Sequence, residues 1–144
     1  MGPPAKSLPV MPQLAPVEAY VATFEMLAHR NKYAAGRAML LAQYGMPNHV
    51  ATMRHLALAV CGVAEHRVAN LLYGGFAARV RREIDVPRPK YEIWVLATWP
   101  EPPIDALGEF ACRLRPEVRR ALEQLGWVKP PVLGRSRERR LRSS

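Results

Sequence analysis

Residues 47–84, PNHVATMRHLALAVCGVAEHRVANLLYGGFAARVRREI, hold two apolar-periodic segments on either side of a glycine. With Gly62 as the turn, Ala57, Leu58, Cys61, Val63, Val68 and Leu71 fall where two crossing helices bury their contacts, which predicts a helix-turn-helix. Polar residues gather at the start of the second helix: Glu65, His66, Arg67, Asn70 and, one turn on, Tyr73. Where such a motif binds DNA, these are the positions that reach base edges in the major groove. Leu58 stands where a close crossing favours Ala, so a wider or differently tilted crossing is expected. Along the second helix, Val68, Leu71, Leu72, Phe76, Val80 and Ile84 mark a core side, and Arg67, Asn70, Gly74 and Arg81 a free one. Gly74-Gly75 in mid-helix costs roughly 1 kcal/mol per glycine relative to Ala. The pair therefore predicts close approach of another backbone or a DNA strand, a kink, or a break into two shorter helices.

Upstream, residues 1–15 are expected to be a flexible Pro-rich lead. A first helix is expected from Pro16 or Val17, carrying Tyr20, Val21, Phe24, Leu27 and Ala28, and stalling near Asn31. A second runs from Tyr33 to Tyr44, with Ala34, Ala38, Leu41 and Ala42 on one side, and ends at Gly45-Met46-Pro47-Asn48. Downstream of Pro87 and Pro89 the period changes. Residues 91–99, YEIWVLATW, alternate as a strand with apolar residues on both faces. After the loop PEPPIDALG, Phe110, Cys112 and Leu114 alternate with Glu109, Ala111, Arg113 and Arg115 as a returning strand, giving a β-hairpin. Pro116 opens a last helix with Val118, Leu122 and Leu125, capped by Gly126, and Trp127-Val128 pack back. The expected fold is α+β and mostly helical: a winged helix-turn-helix-like domain over residues 16–128, with one β-hairpin and a C-terminal helix, followed by a basic disordered tail at 129–144. The hairpin loop carries Glu101 and Asp105 and no Lys or Arg, a poor wing for gripping phosphate, so its expected role is structural.

The formal net charge is +9. The last eleven residues, GRSRERRLRSS, hold five Arg and one Glu, so +4 sits in the tail and +5 in the body. A basic body suits a polyanion, since each neutralised phosphate releases condensed counterions, although acidic proteins attract it too. Cys61 and Cys112 stand fifty residues apart with no Cys-x-x-Cys pair, which fits a reducing cytosol. No apolar run has the length of a membrane span, the N-terminus lacks a signal-peptide core, and Lys6 spoils a myristoylation motif after Gly2. His29, His49, His55, His66, the two cysteines and the carboxylates compose no catalytic signature. His49, His55, Cys61 and His66 have spacings of six, six and five residues, whereas helical metal ligands need three or four. No catalysis, metal or cofactor is expected. Cys61 and Cys112 read as small core residues, and Trp94, Trp99 and Trp127 as core.

The run AMLLAQYGMPNHVATMRHLALAVCGVAEHRVANLLYGGFAARV, with WVLATW and RPEVRRALEQLGWV after it, resembles a small bacterial helix-turn-helix module of restriction-type proteins, found alone or beside HNH nuclease domains. Tyr44, Gly62, Asn70, Leu71, Tyr73, Gly74, Ala121, Leu122, Leu125, Gly126 and Trp127 carry the likeness, which spans roughly residues 38–128. Cys61 and Val63 depart from its usual turn, and no nuclease domain follows. The resemblance implies a recognition module without its nuclease.

Together these features point to a non-enzymatic, cytoplasmic protein of bacterial or mobile-element type that binds duplex DNA. His66, Arg67 and Asn70 would touch the major groove, with Tyr73 the lesser candidate because helix tyrosines are more often half-buried. Asn70 would either bond adenine bidentately or fix a neighbouring loop. Arg79, Arg81, Arg82 and the tail residues Arg135, Arg137, Arg139, Arg140 and Arg142 would meet phosphates. A homodimer is compatible with this. The alternative is a phage-encoded protein-interaction module that inhibits a host nucleic-acid-targeting defence complex, in the manner of an anti-CRISPR. A second alternative, from the resemblance alone, is a specificity subunit for a nuclease encoded separately.

Overall fold

At Gly62 the backbone takes φ +76°, the left-handed conformation that lets a helix stop within one residue, and its N–H bonds back to the Leu58 carbonyl at 3.1 Å. The computed structural model, which describes residues 13–99 and 109–130, thus places the expected turn where the glycine stands. The helix before it, Met53–Cys61, is capped by the Thr52 hydroxyl, which accepts the His55 N–H at 3.1 Å. The helix after it, His66–Ile84, starts at Glu65, whose carboxylate accepts the Arg67 N–H at 3.1 Å.

In chain order the elements are α1 (Val17–Leu27), α2 (Ala34–Tyr44), β1 (Val50–Thr52), α3 (Met53–Cys61), α4 (His66–Ile84), β2 (Ala97–Thr98), β3 (Ala111–Leu114) and α5 (Pro116–Gln124). Short 3-10 turns occupy Asn31–Tyr33, Pro47–His49 and Glu92–Val95. The fold is α+β and mostly helical, with one antiparallel sheet ordered β1-β3-β2. β3 is its centre, with Ala51 opposite Cys112 on one side and Ala97 opposite Leu114 on the other.

The helices share one core. Phe24 of α1 stacks on Phe76 of α4 at 6.2 Å and on Trp127 at 6.1 Å, so the residue after the α5 glycine cap packs back as expected. α2 crosses α4 at Gly36, where a Cβ would stand 2.6 Å from Phe76 Cβ and 2.9 Å from the Leu72 carbonyl oxygen. Only a residue without a side chain permits that approach. α5 is anchored by a buried ion pair between Arg115 and Glu117, 3.6 Å apart, and Arg115 Nε also donates to the Trp94 carbonyl.

Several expectations need correction. α4 runs unbroken through Gly74-Gly75, and among the described residues nothing outside the helix's own backbone lies within 4 Å of a Cβ at either position, so neither a break nor a close approach of another described element explains the pair. Leu71, expected in the core, is 75% exposed, and Leu58, Cys61 and Val63 are exposed as well. Ala57 is buried at the α3–α4 crossing as expected, and Leu56 and Ala69 are buried there with it. The inner face of α4 is Ala69, Tyr73, Phe76, Ala77 and Val80, rotated because Tyr73 turns inward to a polar partner that apolar periodicity does not register. α2 is rotated likewise: it buries Gly36, Met39, Leu40, Gln43 and Tyr44, while Ala34, Ala38, Leu41 and Ala42 are only partly covered.

Residues 91–99 are not one strand. Glu92–Val95 form a 3-10 turn, and the carbonyls of Trp94 and Val95 are taken by Arg115 Nε and by the Tyr20 hydroxyl at 2.8 Å, so the pairing with β3 starts only at the Leu96 carbonyl, which accepts the Arg115 N–H at 2.9 Å, and runs through Ala97–Thr98. The short strand β1 lies in a stretch with too few residues to show alternation. Phe110, read as an inward strand residue, is 58% exposed. Leu14 and Ala15 pack against the fold, so it begins before residue 16. The lead up to residue 12, the loop 100–108 and the tail from 131 lie outside the described residues.

Candidate functional site

The first two turns of α4 present His66, Arg67 and Asn70 to solvent. Positions 66 and 70 are one helical turn apart and therefore share a face. Arg67 and Asn70 make no side-chain hydrogen bond or ion pair among the described residues, so Asn70 does not fix a loop there and its amide keeps both donor and acceptor free. His66 Nδ1 lies 3.5 Å from the Glu65 carboxylate. That carboxylate stabilises the helix start, but it also sets a negative charge beside the three polar side chains, which a phosphate would have to approach.

The other candidates do not join this cluster. Tyr73 is fully buried, and its hydroxyl donates to Gln43 Oε1 at 2.6 Å. Burial holds its phenol well above the usual pKa, with the Cys112 thiol adding to the effect. It cannot touch a base without unfolding α4. Arg79 and Arg81 are partly buried and already paired, Arg79 with Glu83 at 2.8 Å and Arg81 with Glu92 at 2.9 Å. These pairings compete with the phosphate contacts expected of the two side chains. The Glu83 pairing is an i,i+4 contact open to sequence inspection, whereas Glu92 arrives through the turn after α4. Arg82 is exposed, but at 1.5 Å per residue it lies about 22 Å along the axis from Arg67. Arg135, Arg137, Arg139, Arg140 and Arg142 lie outside the described residues.

Beside this cluster the structure opens a pit of about 950 Å3 between α4 and the sheet. Leu71, Gly74 and Gly75 form one wall, and Tyr91, Trp99 and Phe110 the other. The aromatic wall is a run of contacting rings: Tyr91 and Trp94 meet edge to face at 5.0 Å, Trp94 and Trp99 at 5.8 Å, and Trp99 lies 5.2 Å from Phe110. The lining reaches Thr52 and Cys112, which are 2% and 1% exposed. Glu109 is paired with Arg54 at 3.1 Å, and Glu92 with both Arg81 and Arg88. Lys90 lies 5.5 Å from the Tyr91 ring centroid and makes no ion pair among the described residues. Sequence inspection did not find the pit, although Gly74-Gly75 was its trace. The two walls are distant in sequence, and only the fold of residues 87–99 sets them face to face.

Cys112 is buried, and burial pushes its thiol up to about 12, which keeps it protonated and inert near neutrality. Among the described residues no group of three or more His, Cys, Asp or Glu could hold a metal ion, and no helix is long and apolar enough to cross a membrane. Compared with family models, curated proteins and solved structures, the chain matches none.

Proposed function

We propose that this protein binds duplex DNA without catalysis, as a winged helix-turn-helix-like module that sets the N-terminal half of α4 into the major groove. One observation carries the reading. The three polar side chains His66, Arg67 and Asn70 stand exposed at the start of the second helix of a glycine-turned pair, in a chain of net charge +9. The strand before α3 and the sheet order β1-β3-β2 support it, since a strand, two crossing helices and a returning hairpin are the parts of a winged helix. Asn70, with its amide free, suits the N6/N7 edge of adenine, and Arg67 suits O6/N7 of guanine or a phosphate. A good bidentate contact of this kind discriminates by about 1–3 kcal/mol.

A second reading has its own observation. Leu58, Val63 and Leu71 are 53%, 49% and 75% exposed around the turn, an apolar surface that a protein partner would cover better than DNA. This favours a protein-interaction module acting on a nucleic-acid-handling defence complex.

Selection of bound duplexes from a random library at two salt concentrations decides between them. The DNA reading expects a defined site that is lost in Arg67→Ala and in Asn70→Ala and retained in Leu58→Glu. Binding that is weak, without a preferred site and indifferent to Arg67→Ala would overturn it.

A further inference from the structure

We infer that the pit between α4 and the Tyr91/Trp99/Phe110 wall is a binding site for a small aromatic anion, a molecule with a planar apolar body and one acidic group. This rests on the cavity alone and not on DNA binding. A volume of about 950 Å3 is that of a small-molecule site, and the descent to Thr52 and Cys112, 2% and 1% exposed, makes it a pit in the fold and not the outer face of one helix.

The walls set the shape of the ligand. Gly74 and Gly75 give α4 a bare backbone here, with no other described element within 4 Å of where their Cβ atoms would stand. Two glycines stand in mid-helix against helix propensity although no packing among the described residues needs them. Their effect is to leave room for a flat body against the helix. Leu71 at 75%, Phe110 at 58% and Tyr91 at 44% exposure surround that room, and an apolar ligand would take their surface out of water.

Charge sets the polar end. Both carboxylates among the described lining residues are already neutralised, Glu109 by Arg54 at 3.1 Å and Glu92 by Arg81 at 2.9 Å and Arg88 at 3.1 Å. Lys90 is left as the uncompensated cation among the described lining residues. An acidic group at the mouth meets it, whereas a cationic ligand would find both carboxylates occupied. A helix of a partner protein would lie along the outside of α4 and would not reach Thr52 or Cys112.

The test uses the full chain and two probes of one shape, the sulfonate 1-anilinonaphthalene-8-sulfonate and the uncharged N-phenyl-1-naphthylamine, titrated by fluorescence with stoichiometry from equilibrium dialysis. One saturable site per chain is expected, with the thermal midpoint raised by either probe. Gly74→Leu should weaken both probes by about tenfold or more, a shift of about 1.4 kcal/mol, without lowering the midpoint of the free protein, because Leu is a good helix former entering open space. Should that variant fold poorly, Gly75→Leu reads the same quantity. Lys90→Gln should weaken the sulfonate by about fivefold and leave the neutral probe unchanged. Absence of saturable binding, or binding unmoved by either glycine variant, overturns the site. Equal affinity of Lys90→Gln and the native chain for the sulfonate overturns the anionic ligand.

Discussion

Tyr73 donates to Gln43 Oε1 at 2.6 Å, and Gln43 Nε2 donates to the Cys112 carbonyl at 2.8 Å, so one buried amide ties α4, α2 and β3 together. Removing the hydroxyl strands Oε1 in the interior. Tyr73→Phe should lower the unfolding free energy by about 1–3 kcal/mol in urea titrations and, if DNA is the partner as proposed, leave the affinity of the folded fraction unchanged. Loss of affinity at unchanged stability would instead place Tyr73 on the binding surface. The same hub sets an alkaline limit. Cys112 is pushed from 9.0 up to about 12 chiefly by burial, and Tyr44 from 10.0 up to about 12 by burial and then by its hydrogen bond to Glu123. Both folded-state values are raised, so their contribution is intact below pH 9 and is lost as pH rises from there towards 12. Chemical-denaturation midpoints should fall across that window, and Cys112→Ala should move the onset up towards the tyrosine range. At this scale Gly62 was legible because its left-handed turn is a local demand. Tyr73 was not, because its partner lies thirty residues away and pattern reading takes a helix Tyr after Asn as an outer residue.

Two kinds of helix glycine carry opposite expectations. A Cβ at Gly36 would stand 2.6 Å from Phe76 Cβ across the α2–α4 crossing, so Gly36→Ala must push the helices apart and should cost about 1–3 kcal/mol. Gly74 and Gly75 face open space, so Gly74→Ala or Gly75→Ala should raise stability by up to about 1 kcal/mol each. Thermal unfolding of the three variants checks the pair of signs. A midpoint for Gly36→Ala at or above that of the native chain would show that the crossing is looser than described. Helix limits were mostly legible, since Pro16, Gly45, Gly62 and Pro116 are local stops and starts. Residues 91–99 were not, because apolar residues on both alternating sets carry no facing information, and side chains of α1 and the start of α5 claim the backbone carbonyls.

Over the whole molecule, charge and shape act separately. If DNA is the partner, the tail and the body should contribute differently: ending the chain at Gly134 removes five Arg and one Glu and should flatten the slope of log affinity against log salt by about 3–4, while any preferred sequence survives. A preference that vanishes with the tail would count against recognition by α4. The sequence by itself determined the glycine turn, the helical stretches on either side of it, the return of the chain after residue 99 as a second strand, and the basic balance, all of which depend on short-range conformational preference or on a sum of charges. Only the tertiary structure decided that Tyr73 faces inward, that Arg79 and Arg81 are already paired, and that Leu71 and two glycines look across a pit at three aromatic rings. Each of these depends on which distant residue supplies a hydrogen bond, a counter-charge or a wall, and periodicity along one helix carries no information about its neighbours.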